Sequence, residues 1–268
     1  MPLSARELKQ TSSENRMSSG NPIFDEMANG GVFKDSIILV SGPTGGGKTL
    51  LSTIFAAEGC KNDETVLLLA YEESQPQLLR NAKAWGVDFN KWEREGKLKI
   101  LCTYPESLPL ENHLLLIQNT IDELKPRRVI IDSISALERV SNQKSFREFV
   151  IGLTSFCKQE TVCTLFTSTT PGLAGGDALT EAHISTLTDL IVLLRYVEIE
   201  GTLRRGIAII KMRGSQHDKQ IHEFFISEKG LQIGEPFKNV HNIILGTPTS
   251  TSESELDRLE KLFASREE

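Results

Sequence analysis

Residues 42–49 read Gly-Pro-Thr-Gly-Gly-Gly-Lys-Thr and fit the pattern G-x-x-x-x-G-K-[ST]. Glycines at this spacing let the backbone curl until successive N–H groups point inward, and a helix start supplies the positive end of its dipole. Together these make a cradle for phosphate. Gly42, Thr44, Gly45, Gly46 and Gly47 would line it, with Leu50 completing the nucleotide-contacting set. Lys48 would reach the β- and γ-phosphates of a nucleoside triphosphate, and the Thr49 hydroxyl would ligate Mg²⁺. A second oxygen ligand is offered by residues 128–132, an apolar run ending in Asp132, which would hold the metal directly or through water. Between these motifs lie two adjacent carboxylates, Glu72 and Glu73. Neighbouring carboxylates repel, so one can carry a raised pKa and act as a general base near neutral pH; Glu72 is the first choice, with Glu73 assisting. The competing reading is a pair of acids favoured by the dipole at a helix start.

These groups need a scaffold that carries strand ends to one edge. From residue 18 the chain alternates strand and helix signals. Residues 36–40, 65–70, 98–101, 129–131 and 162–166 are short, often β-branched apolar runs, and helical patterns occupy 48–60, 75–86, 111–124 and 143–158. Continuous apolar runs alternating with helices predict an α/β fold, a mainly parallel sheet covered on both faces. After residue 186 the runs 187–194, 204–211 and 220–226 have few helix signals between them, which predicts an antiparallel extension of the sheet. The expected organisation is an N-terminal arm over 1–17, one nucleotide-binding domain over 18–234, and a Ser/Thr/Glu-rich tail over 235–268. Within the tail, Ser252 and Glu255 resemble a capping box ahead of Leu256, Leu259, Leu262 and Phe263 at helical spacing. That helix would pack on its own domain or dock a partner.

The chain has 268 residues, 39 % hydrophobic and 25 % charged, with a formal net charge of −6, so a sizeable core can form and a disordered or fibrous chain is excluded. No aliphatic run approaches the roughly 20 residues that span a bilayer. Residues 1–19 lack an apolar segment of the secretory type, which predicts a cytoplasmic protein. Cys60, Cys102, Cys157 and Cys163 are widely and irregularly spaced, so the expectation is buried reduced thiols without zinc or disulfides. A pI near 5.5 argues against a protein dominated by nucleic-acid backbone contacts.

With these motifs in place, the chain resembles the second, C-terminal ATPase half of the KaiC family of circadian clock proteins, members of the RecA superfamily. The resemblance extends over nearly the whole chain. It is carried by residues 18–20, 25–27, 33–39, the phosphate loop, 71–74, 78–82, 104–107, 131–133, 182–186 and 211–215. It implies a RecA-like P-loop fold in which Glu72 faces the γ-phosphate and polarises the attacking nucleophile. It also implies a hexameric ring with ATP and Mg²⁺ between subunits, and slow ATPase, autokinase and autophosphatase activity. The phosphoacceptors would be Ser185 and Thr186, which the family's first half lacks, with Thr180 a further hydroxyl nearby. Lys211, Met212 and Arg213 would contact the neighbour's nucleotide, Arg139 would lie close to the phosphothreonine, and Trp85 near the adenine. On the residues alone, Lys211 and Arg213 are the charged end of a strand, Trp85 is an equally good hydrophobic anchor, and Ser185 and Thr186 are ordinary polar residues. A KaiA-like partner would grasp the tail, and a KaiB-like partner is implied elsewhere. The departures are a single domain where the family carries two in tandem, Gln216 where an aromatic is common, and a different sequence over 172–179.

A recombinase of the RecA/RadA type, a DNA-dependent ATPase on the same fold, is the alternative. Recombinases place DNA-binding loops where this chain has residues 168–186, a stretch without Lys or Arg. Phosphate neutralisation there would be poor. A regulatory module that binds ATP without turning it over is countered by intact Lys48, Glu72 and Asp132.

Overall fold

Strands too short for helices and apolar on both sides must be sandwiched, and the chain supplies helices for both faces. The computed structural model describes residues 12–170, 184–199, 201–228, 230–238, 240–241, 243 and 249–250. Strands β1 (Arg16–Met17) and β2 (Val32–Phe33) pair with each other and flank helix α1 (Pro22–Met27). There follow β3 (Ile37–Gly42), α2 (Lys48–Lys61), β4 (Val66–Ala70), α3 (Gln75–Ala84), α4 (Phe89–Arg94), β5 (Leu98–Cys102), α5 (Leu110–Leu124), β6 (Arg128–Asp132), α6 (Ile134–Arg139), α7 (Gln143–Gln159) and β7 (Cys163–Thr169). The chain continues through β8 (Leu190–Ile199), β9 (Thr202–Met212), β10 (His222–Ser227) and β11 (Gly230–Pro236), and a two-residue ladder joins β12 (Val240–His241) to β13 (Thr249–Ser250).

The main sheet has nine strands in the order β11-β10-β9-β8-β3-β7-β6-β4-β5. Strands β5, β4, β6, β7, β3 and β8 run parallel, and β9, β10 and β11 form the antiparallel extension. The α/β architecture expected from the sequence is the one observed. Alternation within each strand divides the core in two. Ile38, Val40, Leu68 and Ile130 pack on the face covered by α2, α3 and α4, with Phe55, Leu78 and Phe89. Ile37, Leu39, Leu67, Leu69 and Ile131 pack on the other face with Ile117, Ile121, Phe146 and Leu153 of α5 and α7. Helix starts carry local signals: Asn21 accepts from the N–H groups of Ile23 and Phe24, and Ser74 with Gln77 forms a capping box.

Among the described residues, one of the largest fully buried side chains is charged. Arg128, at the start of β6, is 0 % exposed. Its Nε donates to Glu64 Oε2 at 2.5 Å, and Nη1 donates to the carbonyls of Ser18 (2.8 Å) and Phe55 (3.1 Å). The guanidinium carbon stands 4.5 Å from the centroid of the Phe55 ring. Gly59 makes the room: a Cβ there would lie 2.8 Å from Arg128 Cδ. Arg128 thus joins the N-terminal segment, the phosphate-loop helix and β6.

The structure corrects the cysteine expectation at one position. Cys60, Cys157 and Cys163 are buried free thiols, each pushed up to about 12 by burial, but Cys102 is exposed. It shares the face of buried Leu98 and Ile100, yet it ends the edge strand β5 beyond the cover of the helices. Residues 16–17, which lack periodicity, are held by pairing with β2, and Met17 is buried. The tail helix, Thr180 and the segment 172–179 lie outside the described residues. Among the described residues no helix is long and apolar enough to cross a membrane.

Candidate functional site

Strand β3 ends at Gly42, and a Cβ on that glycine would stand 2.8 Å from Leu194 Cβ of β8. The loop then turns on Gly45 (φ +74°) and Gly47 (φ +100°), left-handed conformations that glycine adopts without strain. Gly47 is the N-cap of α2 and has no side chain to satisfy the first helical N–H groups, which remain available to an anion. Tyr196 of β8 backs the loop, its hydroxyl 2.9 Å from where a Gly45 Cβ would be, and the Phe224 ring of β10 lies 3.3 Å from the corresponding point at Gly47. Leu50 is buried in the core, which leaves its backbone N–H as the group able to face a nucleotide.

Lys48 is 8 % exposed, and its Nζ donates to the carbonyls of Gly42 and Pro43, both at 2.9 Å. Burial pushes the pKa of this ammonium down, opposed by the nearby carboxylates of Asp132 and Glu72. The Asp132 carboxyl is pushed up by burial, against hydrogen bonds from Thr167 and Thr49 and the charge of Lys48. Thr167 Oγ1 donates to Asp132 Oδ1 at 2.5 Å. The structure therefore brings Lys48, Thr49, Asp132 and Glu72 together, although they come from the ends of three strands. Register explains it: Ala70 of β4 pairs with Asp132 of β6, and the Tyr71 N–H donates to the Asp132 carbonyl at 2.9 Å. The result is a crevice at the carboxyl edge of the parallel strands, where open α/β sheets bind ligands.

The two glutamates have different surroundings. Glu72 Oε2 accepts from Ser133 Oγ at 3.0 Å, and Oε1 accepts from Arg139 Nη2 at 2.5 Å. Glu73 turns toward α3, where Oε2 accepts from Asn81 Nδ2 at 3.0 Å. Burial, reinforced by Asp132, raises the Glu73 pKa. A cleft of about 180 Å³ opens beside the pair and is also lined by Cys102 and Tyr104. Arg139 meets Glu72, and Trp85, at the end of α3, packs partly buried against the core on the α2 side.

Ser185 and Thr186 lie at the other edge of the sheet. They precede β8, whose Leu190 pairs with Ile38 near the start of β3. The phosphate loop follows the end of β3 at Gly42, so about four residues at roughly 3.3 Å each, some 13 Å of strand, separate the two levels. Lys211, Met212 and Arg213 share the lower edge, because Met212 pairs with Leu190. Met212 is partly buried against the core. Lys211 Nζ donates to the carbonyls of Ser185 (2.5 Å) and Thr188 (2.6 Å), and Arg213 Nη2 donates to that of Thr186 (2.6 Å).

Sequence reasoning did not single out Ser133, Thr167 or Tyr196, which orient Glu72, hold Asp132 and back the phosphate loop. The residues 167–170, Thr-Ser-Thr-Thr, at the end of an apolar strand were the available signal for Thr167. Nothing local marks Tyr196.

The donor set suits a hard cation shared with phosphates. Among the described residues no group of three or more His, Cys, Asp or Glu side chains could hold a metal, whereas Thr49 and Asp132 place hydrogen-bonded side-chain oxygens beside the cradle. Comparison with known proteins agrees with this architecture. A family model described as "ATPase: KaiC" matches residues 17–238. The circadian clock protein KaiC3 of Synechocystis sp. is 59 % identical over 98 % of this chain and 52 % of its own length. The circadian clock oscillator protein KaiC of Thermostichus vulcanus is 53 % identical over 97 % of this chain and 50 % of its own, and that of Synechococcus elongatus 51 % over 97 % and 50 %. The chain spans about half the length of the curated relatives it matches. It belongs to the KaiC ATPase family.

Proposed function

We propose that this chain is a KaiC-type ATPase and autokinase domain that transfers phosphate to Ser185 and Thr186 of an adjacent subunit, with slow hydrolysis and reversal of the modification as side activities. The observation that carries this reading is the placement of the two sites on opposite edges of one sheet. The crevice of Lys48, Thr49, Glu72 and Asp132 lies at the carboxyl edge, and the hydroxyls with Lys211 and Arg213 lie at the other. That separation, some 13 Å along β3, favours acceptors served by another subunit. A head-to-tail ring, hexameric by the family resemblance, would set the acceptor edge of one subunit against the crevice of the next.

Bound ATP would supply the γ-phosphoryl group, and Thr49 and Asp132 would hold a Mg²⁺ ion that would neutralise charge on the phosphates. The open N–H groups of residues 45–50 and the Lys48 ammonium orient the triphosphate. Glu72, held by Ser133 and Arg139, takes the proton from the Ser185 or Thr186 hydroxyl as its oxygen bonds to the γ-phosphorus, while the bond from that phosphorus to the β,γ-bridging oxygen breaks and ADP leaves. Glu73 assists from the raised side of the pair. Trp85 near the base, Thr180 as a further hydroxyl, and KaiA-like and KaiB-like partners belong to the same proposal. The family match favours it over a DNA-dependent recombinase.

The test is incubation of the assembled protein with Mg-ATP, mapping of modified residues by mass spectrometry, and repetition with Glu72→Gln. Phosphate should appear on Ser185 and Thr186 and fall by about 10²–10⁴-fold in rate in the variant. An assembled ring that gains no phosphate at either residue refutes the autokinase reading.

A further inference from the structure

The turn that carries Ser185 and Thr186 is held by side chains of its own chain. Lys211 Nζ donates to two of its carbonyls, Ser185 O at 2.5 Å and Thr188 O at 2.6 Å, and Arg213 Nη2 to a third, Thr186 O at 2.6 Å. The Arg213 N–H donates to the Asp189 carbonyl at 2.8 Å. The Asp189 carboxylate is anchored in turn, accepting from the Ile37 N–H and from Lys158 Nζ, each at 2.9 Å. Hydrogen bonds from a charged donor are about twice as strong as neutral ones, and three of them fall on one short turn.

Donor arithmetic gives the arrangement a consequence. An ammonium has three N–H donors and Lys211 directs two into the turn, so one remains. The guanidinium of Arg213 directs Nη2 into the turn and sets Nη1 3.6 Å from Asp189 Oδ1, and its five N–H groups still exceed these two partners. Burial and the charge of Arg213 both push the Lys211 ammonium's pKa down, as expected for a cation turned inward rather than into water.

We infer that Lys211 and Arg213 are positioning residues for the phosphoacceptors of their own chain, gripping the carbonyls of residues 185, 186 and 188 while their remaining donors face a neighbouring subunit's phosphate. This rests on reading Ser185 and Thr186 as acceptors. The same two cations then link the acceptor backbone to the phosphate it must meet, so recognition of that phosphate and presentation of the hydroxyls are one event.

The test is hydrogen–deuterium exchange of the full chain without nucleotide, comparing wild type with Lys211→Met and Lys211→Arg. Losing two charge-assisted bonds should speed exchange at the amides of Leu187 and Thr188 by about tenfold or more, leave the phosphate-loop amides unchanged, and be largely reversed by arginine. Unchanged exchange in Lys211→Met overturns the proposal, because a cation serving only a neighbour's nucleotide would not alter this turn in its absence. Faster exchange spread equally over the phosphate loop also counts against it, as does failure of arginine to restore protection. A turn that loosens as expected, in a wild-type ring that gains no phosphate, upholds the grip and refutes the autokinase reading instead.

Discussion

Arg128→Met removes a guanidinium that joins three parts of the ATPase core. The Ser18 carbonyl loses a 2.8 Å donor, the Phe55 carbonyl a 3.1 Å donor, and Glu64, 21 % exposed, its ion-pair partner. Each buried acceptor left unpaired costs about 1–3 kcal/mol. Glu64 is partly solvated and recovers some hydration, and the Phe55 carbonyl belongs to a helix with its own donors. A net loss of about 3–5 kcal/mol follows, the range for breaking a buried pair by deleting one member. For a domain of this size that is a fall in Tm of roughly 6–20 °C. The assay is thermal and urea unfolding followed by circular dichroism. Two controls separate the charge effect from packing. Glu64→Gln, which keeps an oxygen for Nε but leaves the fully buried guanidinium without its counter-charge, should itself cost about 3–5 kcal/mol. Arg128→Met with Glu64→Leu should be less destabilised than Arg128→Met alone, since no unpaired charge remains. A loss below about 1 kcal/mol in Arg128→Met, or a double variant worse than the single, would refute the reasoning.

Gly45→Ala should destabilise the chain and weaken binding of a fluorescent ATP analogue, through about 1–2 kcal/mol of left-handed strain and crowding against Tyr196. Tyr196→Phe in that background removes the crowding atom and should recover part of the loss; a coupling under about 0.3 kcal/mol in a double-mutant cycle would show that β8 does not back the loop. Glu73→Gln should raise the Tm at pH 8. A carboxyl whose folded pKa is raised gives its stabilising contribution at low pH and loses it as pH rises through the raised value, so glutamine removes a penalty present only above that range. The advantage should shrink toward zero at about pH 4, and a pH-independent difference would contradict the burial of Glu73 beside Asp132.

Much of the site was legible because its chemistry is written in consecutive residues. The phosphate loop needs glycines where φ is positive and a lysine at the helix start, and both are local requirements. The buried strands were equally plain, since a run such as residues 66–70 leaves no polar side for water. The carboxylates were readable as types but not as partners. That Glu73 has the raised pKa follows from its turn toward Asn81 and the buried Asp132, while Glu72 is held by Ser133 and Arg139. Cys102 misled because its strand is apolar, and exposure there depends on being last on an edge strand.

The sequence by itself determined the fold class, the nucleotide cradle and the set of candidate groups, because periodicity, glycine spacing and the motif after a strand are properties of neighbouring residues. The tertiary structure decided which strand ends share an edge. Pairing of Ala70 with Asp132 gathers the crevice, and pairing of Leu190 with Ile38 and with Met212 sends Ser185, Thr186 and their basic partners to the opposite edge. Strand order and register arise from how whole faces bury against their helices, so no local stretch of residues encodes that separation.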